Sequence, residues 1–123
     1  MNLREKILAA ADKTKWPRKT VVAWGETIMI RPLDAGESIR LLDYAVKDDG
    51  KVDMAKYDSR LIVLSCEDAG GNRIFQDGDE AGLLQLEGDD FAAVVEAARE
   101  LNGQTAKARE DAEKNSPPIP AGG

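Results

Sequence analysis

Apolar residues recur at helical spacing in Leu3, Ile7, Leu8 and Ala11, which predicts a short amphipathic helix over residues 2–12. Trp16-Pro17 ends it, because the residue before proline is pushed out of the helical region. Residues 19–32 are dominated by β-branched side chains and suit a pleated surface. Gly25-Glu26 has the glycine-first form of a two-residue type II′ turn, which predicts a hairpin pairing Trp24 with Thr27. Val21, Ala23, Ile28 and Ile30 would share one face, and Val22, Trp24, Thr27 and Met29 the other. Both faces are rather apolar. One is expected to cover helices and the other to meet a partner, since an isolated hairpin is marginal in water.

Asp34-Ala35-Gly36-Glu37 marks a helix start, with an acid at the cap and Glu three residues on. The helix that follows, about 35–47, carries Ile39, Leu42 and Val46 on one stripe, with Leu41 and Ala45 at its flank. After a solvated turn at 47–51, a helix over about 53–67 carries Met54, Tyr57, Leu61 and Leu64. Ile62 and Val63 widen its apolar face, which predicts burial on more than one side. Residues 67–73 form a tight polar loop and Ile74-Phe75 a short apolar step. Asp77-Gly78-Asp79-Glu80 opens a short helix with Leu83, Leu84 and Leu86. Asp89 and Asp90 precede the clearest helix, on which Phe91, Val94, Val95, Ala98 and Leu101 keep the helical period. Asn102-Gly103 ends it, since both residues tolerate a left-handed cap.

The expected fold is α+β: a mostly helical single domain with an N-terminal β-hairpin and four or five helices. Residues 1–103 form the globular part. Residues 104–123 are expected to be a polar helix and a flexible Pro/Gly-rich tail, because nothing there is patterned for burial.

Composition narrows the function. The chain has 123 residues, the length of one domain, with 23 acids against 17 bases and a net charge of −6. That balance argues against binding a phosphate backbone, whose footprint is basic. The absence of histidine removes the imidazole base of a Ser/His/Asp or Cys/His site and any His-ligated zinc. A single cysteine makes neither an internal disulfide nor a Cys₄ metal site. Cys66 adjoins the apolar run Leu61-Ile62-Val63-Leu64 and reads as a small buried hydrophobe, with Glu67 and Asp68 opposing thiolate formation. The opening residues mix charge with apolar side chains, so no secretory signal is expected. No run approaches the length needed to cross a bilayer.

Candidate chemistry fails position by position. Counting back from Gly50, Gly71 and Gly78 puts Ala45, Cys66 and Arg73 where an EF-hand loop needs its first oxygen ligand. Asp34 with Asp49-Gly50-Lys51 is the nearest approach to a carboxylate-metal nuclease. It needs its acids on adjacent strands, whereas these read as a helix cap and a charged turn. Gly70-Gly71 follows a helical run and is flanked by acids, unlike a phosphate-cradling loop. No catalytic residue, cofactor or metal is therefore assigned, and no enzyme is expected. Trp16 and Trp24 read either as core filling or as partner anchors, since Trp is enriched at binding hot spots. The candidate contact residues are Trp16, Trp24, Ile28, Ile30, Leu101 and Asn102.

The order of elements resembles the tail assembly chaperones of long-tailed bacteriophages with non-contractile tails. The resemblance begins at Leu3-Arg4-Glu5-Lys6-Ile7-Leu8-Ala9-Ala10 and the hairpin through Trp24-Gly25, then continues in Arg31-Pro32-Leu33-Asp34-Ala35-Gly36-Glu37. It is most telling in residues 61–68 followed by Gly71-Asn72-Arg73-Ile74-Phe75. It closes in Ala98-Arg99-Glu100-Leu101-Asn102-Gly103-Gln104-Thr105 and Glu113-Lys114-Asn115-Ser116, so it spans about residues 3–116. The resemblance implies a non-enzymatic protein of the infected bacterial cytoplasm. It would bind the tape measure protein, keep it soluble until tail tube subunits polymerise round it, and be absent from the mature virion. It also implies the tail tube protein as a partner, through a longer form made by ribosomal frameshifting, and copies of itself, since some members oligomerise. No nucleic acid or membrane partner is implied. The alternative function is a structural virion component, such as a head–tail joining or minor tail protein.

Overall fold

The computed structural model describes residues 1–102. The tail expected over residues 104–123, together with Gly103, lies outside them. Among the described residues, five helices and a three-stranded antiparallel sheet make a single α+β domain, in the order α1 (Leu3–Ala9), β1 (Lys19–Ala23), β2 (Glu26–Ile30), α2 (Ala35–Ala45), α3 (Met54–Ser65), β3 (Cys66–Glu67), α4 (Glu80–Leu83) and α5 (Gly88–Leu101). A 3₁₀ turn, Lys13–Lys15, links α1 to the sheet.

The hairpin closes on Trp24-Gly25 rather than Gly25-Glu26, so Ala23 pairs with Glu26 and Val21 with Ile28. Trp24 (φ 53°) and Gly25 (φ 75°) both take left-handed conformations, the signature of a type I′ turn whose twist matches that of the strands. The pairing is shifted by two residues from the expected one. Because side chains alternate with a period of two, the inward face is unchanged. Val21, Ala23, Ile28 and Ile30 still share it, and all but the half-buried Val21 are fully enclosed.

A strand unforeseen in the sequence completes the sheet. Cys66 pairs with Ile30 and Glu67 with Met29. The sequence continues the helical pattern through 67, but the chain leaves the helix at Ser65, and Arg31 N–H donates to the Ser65 carbonyl (2.9 Å).

α3 is the centre of the molecule. It packs against α2, α4 and α5, and Leu61, Ile62 and Val63 are all enclosed, as the wide apolar face predicts. α5 lies across the sheet and α3, burying Val94, Val95, Ala97 and Ala98, with Phe91 and Leu101 half-buried at its ends. It starts at Gly88, capped by the Glu87 carboxylate accepting from Asp89 and Asp90 N–H, not by the two aspartates. Its last turn closes on Asn102 with φ −97°, and Gly103, the other residue of the expected cap, lies outside the described residues.

α2 is rotated from its expected setting. Leu41 and Ala45 enter the core, and the expected stripe of Ile39, Leu42 and Val46 faces out. Leu83, the last residue of α4, is buried, while Leu84 and Leu86 just beyond it are exposed. α1 forms, capped by Asn2, but it is shorter than the expected 2–12, ending at Ala10 well before Trp16-Pro17, and it buries none of its residues.

Candidate partner-binding surface

The segment between α1 and β1 is anchored by charge. Lys13 meets Asp34 (2.5 Å) and lies 3.8 Å from Glu37. Arg31 grips Glu37 with two hydrogen bonds (2.9 and 2.5 Å), and Arg18 donates to Glu67 (3.2 Å). Arg18 also donates to the Lys13 and Trp16 carbonyls. Three cations thus meet three carboxylates where the 3₁₀ turn, the sheet and the start of α2 converge. The hydrogen bond to Lys13, followed by the bond from the Glu37 backbone, lowers the Asp34 carboxyl to about 2. Burial pushes Glu37 up, but the bonds from Arg31 and from the Asp34 N–H outweigh it, and its pKa is lowered overall. The same pair raises Arg31, chiefly through the hydrogen bond to Glu37. The Asp34–Glu37 capping box expected from the sequence is present in both directions (2.7 and 3.0 Å).

The hairpin is laced to α5 along its length. Asp90 accepts from the Trp24 N–H at the tip (2.8 Å), Lys19 pairs with Glu100 at the base, and Asn102 accepts from the Leu33 N–H (2.9 Å) just beyond the sheet. Asn102 also donates to the Ala98 carbonyl (2.7 Å). Of the candidate contact residues, Asn102 therefore spends its side chain holding the fold, and Leu101 packs on the core beside it. Ile28 and Ile30 are enclosed beneath the sheet. That face is the one the helices cover. Trp24 is half-buried with its ring edge-on to Phe75, the centroids 6.4 Å apart. Trp16 donates its indole N–H to the Ala10 carbonyl (2.8 Å) and finishes α1. Of the six residues, two are buried and four half-buried.

The surface that is available lies elsewhere. α1 presents Leu3, Ile7 and Leu8 at 72%, 61% and 57% exposure. α2 presents Ile39 and Leu42 one turn apart, and Val46, extended just beyond its end, is exposed as well. The outward face of the hairpin adds Val22. The sequence identifies both helices, but its periodicity does not say which apolar ridge is covered. For α2 the available signal is that Leu41 and Leu42 are both apolar, so two ridges compete for the core.

Beside α2 lies an open cleft of about 550 Å³, lined among others by Arg40, Tyr44, Arg60, Arg73 and Asp77. Arg60 stacks over the Tyr44 ring (5.6 Å) and bonds Asp77 and Glu80 (2.9 and 2.8 Å). Arg73 also bonds Asp77 (2.6 Å). These bonds make the cleft a structural brace between α3 and the segment leading to α4.

The groups weighed for catalysis do not converge. Asp34 and Asp49 lie beyond opposite ends of α2, about 16 Å of helix apart. Asp49 accepts from the Lys51 N–H (2.9 Å) within its turn. Cys66 is enclosed, and burial pushes its thiol up to about 12, so it stays protonated. Among the described residues no group of three or more His, Cys, Asp or Glu is placed to hold a metal ion. Nor is any helix there long and apolar enough to cross a membrane.

No protein-family model matches the chain, and no curated protein matches it in sequence. Among solved structures, the bacteriophage HK97 tail assembly chaperone is similar in fold, with a TM-score of 0.59 and 22% sequence identity. The match covers 82% of this chain and 95% of that one. In fold, the chain is similar to a phage tail assembly chaperone, the kind of protein that its sequence resembles.

Proposed function

We propose that the chain is a tail assembly chaperone that binds the tape measure protein in the host cytoplasm. It keeps that protein soluble while tail tube subunits polymerise, and it is absent from the finished virion. The observation that carries this reading is the shared fold over nearly the whole of the HK97 chaperone. The surface supports it. A long helical client exposes apolar stripes before assembly, and α1 and α2 each offer an uncovered ridge to pack on them. The net charge of −6 keeps a coated complex dispersed.

Mass spectrometry of purified particles and of the infected-cell lysate tests the reading. The protein is expected in the lysate and missing from the particles. Stoichiometric incorporation would instead make it a structural virion component.

A further inference from the structure

We infer that α1 is the docking element and that its occupant is an amphipathic helix whose apolar stripe is flanked by carboxylates. The inference deepens the proposed function by naming the contacting element and the chemistry of what it contacts.

Helical geometry sets the ridge. At about 100° per residue, Leu3 and Ile7 lie within about 40° of each other. Arg4 flanks the ridge on one side by about 60° and Lys6 on the other by the same angle. Glu5 falls on the opposite side, where its carboxylate is within 3.4 Å of the Asn2 amide. Leu8 extends the apolar surface beyond Arg4. Among the described residues neither Arg4 nor Lys6 forms an ion pair, and both are exposed.

Arg18, Arg31, Arg60, Arg73 and Arg99 each hold a carboxylate, whereas Arg40 on α2, like Arg4 on α1, is in no ion pair among the described residues. In a chain of net charge −6, α1 is thus an apolar ridge between two cations that are uncommitted among the described residues. Charge complementarity selects an acidic-flanked helix over a basic-flanked one. The anchoring of the following segment by Lys13 and Arg18 fixes the root of α1 and leaves its ridge free.

The test uses the full chain and two labelled peptides of about three heptads, with Leu at the core positions and either Glu or Lys beside them. In fluorescence anisotropy the Glu-flanked peptide is expected to bind about tenfold tighter than the Lys-flanked one. Leu3→Ser with Ile7→Ser is expected to weaken that binding about tenfold. Arg4→Glu with Lys6→Glu is expected to reverse the preference. All four residues are exposed, so thermal melts of the variants should match the parent.

Equal binding of the two peptides, or binding indifferent to the α1 variants, would overturn the inference. So would preferential binding to phosphatidylglycerol vesicles, or burial of α1 in self-association shown by sedimentation. Variants that lose the peptide yet still protect a tape measure fragment would sink this inference alone. Virion incorporation would sink the proposed function and leave the peptide result standing.

Discussion

Leu41→Ala is expected to lower stability by about 3 kcal/mol, while Leu42→Ala, one residue along, stays within about 0.5 kcal/mol. The two positions carry the same side chain on the same helix. Leu41 is 1% exposed and Leu42 46%. Truncating Leu41 removes apolar area from the contact between α2 and α3 and leaves a cavity that neighbours fill only in part. Truncating Leu42 removes atoms that already face water. For a domain of this size about 3 kcal/mol corresponds to roughly 12–24 °C in Tm. Urea melts of both variants decide the matter. Equal losses would mean that α2 is rotated toward the setting its sequence pattern suggests.

Arg31→Met is expected to cost about 2–4 kcal/mol at neutral pH, although Met keeps most of the packing volume. Arg31 is nearly enclosed, gives Glu37 two hydrogen bonds and the Pro32 carbonyl a third from its guanidinium, and lies 4.0 Å from Glu67. Removing it leaves Glu37 in a site whose burial opposes its charge. The pH dependence separates this from lost packing. In the parent, the lowered pKa of Glu37 contributes stability above its unfolded value, and that part fades as the pH falls. In the variant, burial acts on Glu37 without the Arg31 bonds, so acid relieves the penalty. The gap between the two proteins should therefore narrow as the pH drops below about 5. Asp34, lowered to about 2, adds a further loss shared by both as pH falls from about 4 towards 2. A gap constant from pH 7 to pH 4 would assign the cost to packing instead.

Much of this architecture is legible in the sequence where the signal is local. The Asp34–Glu37 capping box needs four neighbouring residues, and it forms as read. The hairpin faces are also legible, because a register shift of two residues moves the turn without exchanging inside for outside. What fails depends on distant partners. A ridge of Ile39, Leu42 and Val46 satisfies helical periodicity as well as one containing Leu41, and only the position of α3 chooses between them. β3 is two residues long and follows a helix without a break in hydropathy, so pairing with β2 alone reveals it. Arg18 and Glu67 are 49 residues apart, and no spacing rule joins them. The surface suffers in the same way. Ile28 and Ile30 suggest a contact face because they are apolar, yet the sheet buries them. The α1 ridge is visible as a pattern, but its lack of any cover emerges only when the rest of the fold is in place.

The central claim is that this acidic domain shields the apolar helices of a tail protein until the tube encloses them. Co-expression of a tape measure fragment with and without the chain tests it most directly, with the soluble fraction as the readout. The account predicts a fragment that pellets alone and stays soluble, in complex, when the chain is present. A fragment whose solubility is the same in both cultures would contradict it.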